Sequence, residues 1–129
     1  MAETRARRTG RQDFPKRGEI YLTALDPALG HEIKKTRPAL VIQNDVTNRY
    51  GMTTIIAAIT TKVSIPPYPN EVVVHPDAAG LEVTSTVRLD QIRTVDRQRL
   101  IRRLGKVEAD IMRKVDQAIS ISLGLVKLS

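Results

Sequence analysis

Polar and apolar positions along the chain predict a series of short strands followed by one late helix. Residues 18–23 (GEIYLT) alternate and predict a first strand. Residues 26–35 (DPALGHEIKK) carry Pro, Gly and charge and predict a loop of ten residues. Such a length in a small β domain points to function. Thr36-Arg37-Pro38 leads into 39–43 (ALVIQ), an apolar run of the kind that fills a buried central strand. Residues 44–51 (NDVTNRYG) predict a turn with one helical turn in it. Residues 53–61 (TTIIAAITT) are β-branched or apolar throughout and give the strongest strand signal. Three prolines make 64–70 (SIPPYPN) a loop or edge segment. Residues 71–75 predict a strand, 76–80 a turn, and 84–89 with 91–94 one further strand bent between its halves.

From Asp96 the pattern changes. Residues 97–104 fit a short helix or a strand, and Gly105 is read as a break. Over 106–125, Val107, Ile111, Val115, Ala118, Ile119 and Ser122/Leu123 recur at steps of three and four, which predicts an amphipathic helix. Its second half is apolar on more than one face, so a sheet and a second subunit could each cover one. These elements predict an α+β, mainly β fold: a small curled sheet or open barrel with a C-terminal helix. No internal repeat is present.

Composition narrows the function. A chain of 129 residues with 41% hydrophobic and 27% charged residues suits one globular domain. The absence of cysteine removes disulfide scaffolds, thiolate metal sites and cysteine nucleophiles. No apolar run approaches the ~18 residues of a membrane span. The basic start (MAETRARRTGRQ) lacks the apolar stretch of a secretory signal, so a soluble, cytosolic protein is expected. The net charge is +7, and residues 1–17 carry six Lys/Arg against two acids, so +4 of the excess sits there. Residues 1–14 are therefore expected to be a basic, disordered tail, either merely solvated or a non-specific phosphate-binding arm. One Phe, three Tyr and no Trp argue against a broad base-stacking platform.

Phosphate-loop, dinucleotide, zinc-protease and serine-hydrolase motifs are missing, and the carboxylates are scattered. An enzyme built from this chain is expected to use neither metal nor organic cofactor. The remaining polar residues are suggestive only as a set. Arg37 stands at a loop–strand junction next to Pro38, which restricts the backbone on both sides; an ordinary surface arginine fits as well. Thr60 and Thr61 close the strongest strand, where threonine is also favoured by propensity alone. Arg88 and Asp90 flank Leu89 at period two and so share a face, as a surface ion pair also would. His31 and Glu32 lie in the long loop.

Taken together these segments resemble the MazF/PemK (Kid) toxin family. The resemblance is carried by Arg17-Gly18-Glu19-Ile20-Tyr21, Leu25-Asp26-Pro27, Gly30-His31-Glu32, Arg37-Pro38-Ala39-Leu40-Val41-Ile42 and Asn44. It continues through 56–60 and through Arg88-Leu89-Asp90-Gln91-Ile92-Arg93-Thr94-Val95-Asp96, and covers about residues 15–128. Residues 15–129 would then be the toxin domain.

The resemblance implies an SH3-like open barrel of the CcdB/PemK type, assembled as a homodimer. It implies a ribosome-independent, sequence-selective, metal-free endoribonuclease acting on single-stranded RNA, the toxin of a type II toxin–antitoxin pair. Cleavage would proceed by attack of a 2′-hydroxyl on the adjacent phosphate, leaving 2′,3′-cyclic phosphate and 5′-hydroxyl ends. That chemistry needs a base, donors for the phosphorane and an acid for the leaving oxygen. Arg37 and Thr60 match positions that MazF members use for catalysis; His31, Arg88 and Asp90 match those proposed in PemK-like members. Arginine gives up its proton only above ~12, so Arg37 is expected to clamp the phosphorane, with Thr60 hydrogen-bonding a phosphate oxygen or orienting Arg37. Asp90 or His31 would be the base, and Arg88 a second positive contact. Glu32, Lys34, Lys35 and Asn44 would join the RNA surface, as would Thr61, Gln91 and Arg93. For the two lysines a solvated pair fits the residue types equally. Ile33 departs from the Gln of many members.

The silencing partner would be a MazE-like antitoxin whose C-terminal segment fills the RNA groove. Two alternatives stand beside this reading. One is a non-enzymatic CcdB-like gyrase-targeting toxin, disfavoured by an ending (Val126-Lys127-Leu128-Ser129) without Trp. The other is an inactive RNA- or antitoxin-binding module.

Overall fold

The computed structural model describes residues 14–77 and 79–128. The tail expected over residues 1–14 thus lies outside the described residues except for Phe14. Six strands form one antiparallel sheet: β1 (Glu19–Ala24), β2 (Thr36–Val41), β3 (Thr53–Thr60), β4 (Glu71–Val74), β5 (Ser85–Asp96) and β6 (Leu100–Lys106). A short helix, α1 (Asp45–Tyr50), joins β2 to β3, and α2 (Ala109–Ser122) follows β6. The strand order is β4-β5-β3-β2-β1-β6, so β4 and β6 are the edges.

Each face of the sheet carries its own apolar cluster. On one, Ile20, Leu40, Ala57, Ile59, Val87 and Leu89 meet Val115 and Ala118 of α2. On the other, Ala39, Val41, Ile56, Ala58 and Val95 pack with Leu25 and with Ile33 of the long loop. The two edges are not hydrogen-bonded to each other, but the sheet curls until they touch. Gly80, in the turn after β4, has a φ of +74°, and a Cβ there would lie 1.9 Å from the Leu104 carbonyl of β6. The fold is therefore the expected α+β open barrel, held half-closed by a backbone contact that only glycine permits.

One open reading is resolved and two expectations are corrected. Residues 97–104 are a 3-10 turn (Arg97–Arg99) running into β6. Gly105 does not break the chain there: it is buried and pairs with Ile20 where the register shifts, a position where a strand tolerates glycine. The helix expected over 106–125 starts later, because Lys106 still pairs with Glu19 and Val107 N–H donates to the Gly18 carbonyl. It ends sooner, because Gly124 turns to a φ of +75° and Leu125 N–H closes on the Ser120 carbonyl.

Candidate active site

Antiparallel pairing assembles the site. β2 and β3 pair as Ala39↔Ala58, Leu40↔Ala57 and Val41↔Ile56. Carried two residues further, that register sets Arg37 across from Thr60. Pro38 has no N–H to give, and the β2–β3 ladder begins only beyond it. The same row continues through Thr23, paired with Arg37 on β1, and Thr86, paired with Thr60 on β5. Cross-strand partners share a face, so Arg37, Thr60 and Thr86 lie on the side of the sheet that the long loop covers.

Arg37 is exposed, and no hydrogen bond or ion pair within the described residues engages it. Other arginines differ. Arg17 is tied to Ile42 O and Asp116, Arg93 to Leu25 O, and Arg99 to Ala24 O. Thr60 Oγ1 accepts from Lys62 N–H at 3.2 Å, which leaves its own O–H free to donate. Thr86 was not singled out by sequence. Its hydroxyl is buried beside Thr60 with no hydrogen-bond partner among the described residues, and no pattern distinguishes it from a threonine chosen for strand propensity.

Arg88 and Asp90 do share a face, and their side chains form a fork: Arg88 Nε and Nη2 donate to Asp90 Oδ1 and Oδ2 at 2.8 and 2.6 Å. Glu71, opposite Arg88 on β4, places Oε2 at 3.6 Å from Nε. The hydrogen bond from Arg88 holds the Asp90 carboxyl below the usual carboxylate range, against the opposing effect of its partial burial. Hence Arg88 is not a free phosphate contact, and Asp90, with both oxygens engaged, is a poor base.

Beyond this pair β5 shifts register between the residues facing Ala57 and Ile59. Val87, Leu89 and Ile92 all face the helix side, so Asp90 and Gln91 both turn to the loop side. Gln91 uses that position to hold the loop. Its Oε1 accepts from Ile33 N–H at 3.3 Å and its Nε2 donates to His31 O at 3.4 Å. The base of the loop is closed by Leu25 N–H to Lys35 O, by Lys35 N–H to Asp26 Oδ1 and by Arg93 to Leu25 O. Lys35 holds a φ of +68° there. His31 is thereby pinned through its carbonyl on the same face, with its ring exposed and unengaged within the described residues.

Not every expected residue converges. Asn44 lies beyond the far end of β2, where its side chain caps α1 by accepting from Thr47 N–H at 2.8 Å. The Glu32 carboxylate closes a turn inside the loop by accepting from Leu29 N–H. Gln91 and Arg93 hold the loop with their polar groups. Lys34, Lys35 and Thr61 are exposed near the row. Among the described residues no three His, Asp or Glu side chains are grouped as a metal site would require.

A family model described as the PemK-like, MazF-like toxin of type II toxin–antitoxin systems matches residues 16–123. Endoribonuclease EndoA of Bacillus subtilis (strain 168) is 42% identical over 111 residues, 86% of this chain and 96% of that protein. An endoribonuclease from a mycobacterial species, solved with its cognate antitoxin, superposes with a TM-score of 0.73 at 27% identity. The match covers 88% of this chain and 99% of that one. MazF from Deinococcus radiodurans gives 0.72 at 27% identity, over 86% and 97%.

Proposed function

The chain belongs to the PemK-like, MazF-like toxins of type II toxin–antitoxin systems, and from that premise we propose that it is an endoribonuclease whose cutting centre is the Arg37–Thr60 row. The observation that carries the assignment is a guanidinium whose donors no partner among the described residues engages, set opposite a hydroxyl whose proton none of them takes, under a tethered loop. A phosphate entering that row meets a planar fork suited to two of its oxygens. As a 2′-hydroxyl attacks, charge grows on the phosphorane oxygens, and donors already in place stabilise it without reorganising. Arg37 and Thr60 supply those donors.

His31 is the base in this scheme. Its ring is unengaged and its backbone is fixed by Gln91, whereas both Asp90 oxygens belong to Arg88. Asp90 is then a positioning residue: it holds Arg88 and, with Glu71, shapes the wall of the site. The use of a 2′-hydroxyl restricts the reaction to RNA, and no metal takes part.

The partners follow from the same reading. A second copy covers the apolar residues after α2, where Leu123, Leu125 and Leu128 are exposed. A MazE-like antitoxin silences the toxin by laying its C-terminal segment across the RNA surface, and the toxin acts in the cytoplasm on messenger RNA. The described helices are too short or too polar to cross a membrane. The test is cleavage of a defined RNA by purified protein in EDTA. The expected products carry 2′,3′-cyclic phosphate and 5′-hydroxyl ends; 5′-phosphate ends, or cleavage that EDTA abolishes, overturn the scheme.

A further inference from the structure

Among the described residues, one buried side-chain polar atom makes no hydrogen bond: Thr86 Oγ1. The residue is 1% exposed. It stands in the same cross-strand row as the cutting centre, and the catalytic scheme gives it no part. A hydroxyl shut away from water with nothing to bond disfavours folding, and an apolar side chain of the same shape would avoid that penalty. Such a group calls for an explanation.

By register, four positions adjoin Thr86. Val73, across on β4, is apolar. Thr84, two residues back, has its hydroxyl 3.2 Å from His75 Nδ1. Arg88, two residues on, is forked onto Asp90 with Glu71 beside it. The fourth is Thr60, across on β3. Its Oγ1 accepts from Lys62 N–H at 3.2 Å, and none of the described residues takes its proton. A hydroxyl donates one hydrogen bond and can accept two. Thr60 therefore has one lone pair left, and Thr86 has a proton to give. Residues directly opposed on antiparallel strands have Cβ atoms about 4.5–5.5 Å apart, and opposed threonines can bond across the strands.

We propose that Thr86 is a positioning residue for cleavage: in the RNA-bound protein its O–H donates to Thr60 Oγ1. Lys62 N–H then holds one lone pair of Thr60 and Thr86 O–H the other. Thr60 is left able only to donate, so its proton is aimed at the phosphorane oxygen. Hydrogen bonds in a chain polarise one another, so the bond Thr60 gives strengthens as charge grows on that oxygen. The proposal rests on the ribonuclease reading, because Thr60 is the residue through which Thr86 acts. It also explains the buried hydroxyl: β5 holds a proton donor behind the catalytic threonine, where neither water nor RNA can occupy it.

The experiment measures kcat, KM and melting temperature on a single-site RNA. It uses the full-length parent, Thr86→Val, Thr86→Ser, Thr60→Val and the double variant Thr60→Val with Thr86→Val. Thr86→Val keeps the shape of the side chain and removes the hydroxyl. One neutral hydrogen bond is worth a factor of about 2 to 10, so kcat is expected to fall by that factor with KM near parental. The melting temperature stays level or rises. Thr86→Ser keeps the hydroxyl and loses a buried methyl, so it recovers most of the rate while melting earlier. Rate and stability thus move in opposite directions, whereas a packing role would move them together. In the Thr60→Val background, Thr86→Val lowers kcat no further. Parental or raised kcat in Thr86→Val overturns the proposal. So does an equal loss in Thr86→Ser, or a loss that persists in full without the Thr60 hydroxyl. A parent chain that leaves all RNA intact overturns the ribonuclease reading itself, and is told apart by the parent lane alone.

Discussion

Replacing Arg37 with alanine separates catalysis from stability more sharply than any other substitution in this chain. The side chain is exposed and engages no partner within the described residues. Its removal leaves no carboxylate or carbonyl unpaired and opens no cavity, so the folded state should change by less than about 0.5 kcal/mol. Its loss in the transition state is another matter. A donor aimed at a developing phosphorane oxygen is worth a factor of about 10² to 10³ in rate, or about 3–4 kcal/mol of barrier. Arg37→Lys keeps the charge but loses the planar fork, and should fall between parent and alanine. The assay is initial-rate cleavage of a single-site RNA in EDTA, alongside thermal melting of the same preparations.

Arg88→Ala provides the internal contrast. Arg88 touches two carboxylates, and its side chain is 28% exposed while that of Glu71 is only 11% exposed. Truncation leaves Glu71 and Asp90 facing each other without their cation. Hydrogen bonds to charged groups contribute about 1.5–3 kcal/mol; Asp90 is more than a third accessible, and solvent screening there brings the expected loss to about 1–2 kcal/mol. Arg88→Ala should therefore melt earlier, and Arg37→Ala should not. Near-parental cleavage by Arg37→Ala, or a melting point depressed as far as that of Arg88→Ala, refutes the assignment of Arg37 as an unpartnered phosphorane clamp.

Three further outcomes follow from the geometry. Gly80→Ala must place a Cβ 1.9 Å from the Leu104 carbonyl at a φ of +74°; a loss of at least ~2 kcal/mol, or roughly 8 °C in melting temperature, is expected, and unchanged melting would show that the two sheet edges do not meet there. Arg88 holds the Asp90 carboxyl below its ordinary range, so the stability this pair supplies is present above the ordinary carboxylate range and is lost as pH falls through the lowered value. Asp90→Asn should thus reduce acid sensitivity below about pH 4 while leaving the shape of the pH–rate profile between about pH 5 and 8 unmoved. Gln91→Ala frees the Ile33 amide and the His31 carbonyl, so hydrogen exchange at Ile33 should accelerate together with a fall in kcat, and unchanged exchange would remove Gln91 from its role as the loop's anchor.

How much of this was legible in the chain depends on how local each feature is. Alternation and β-branching located β1, β3, β4 and β5 to within one or two residues, because a strand's faces are written at period two. The late helix was legible for the same reason at a period of 3.6, but its ends were not. Val107 is apolar and in phase with the helix, yet Gly18 claims its N–H as the continuation of β6. Gly105 reads as a break to any local rule; it is a buried strand residue that pairs with Ile20 where the register of β1 and β6 shifts. These are tertiary facts, and no window of the sequence contains them.

The site divides in the same way. Arg88 and Asp90 are two residues apart, so a period-two argument was enough to join them. Arg37 and Thr60 are 23 apart, and their adjacency exists only through the Ala39↔Ala58 register; resemblance supplied the pair, and geometry supplies its reason. Gln91 shows where period two misleads. Counted from Val87 and Leu89 it should face the helix and be buried. The register shift in β5 instead turns Ile92 inward and Gln91 out to the loop. The signal was present as a phase slip, apolar at 87 and 89 and then at 92 rather than 91. A slip of one residue in an otherwise strict strand marks a place where the fold re-aims a side chain, and here the re-aimed side chain holds the loop at Ile33 and His31.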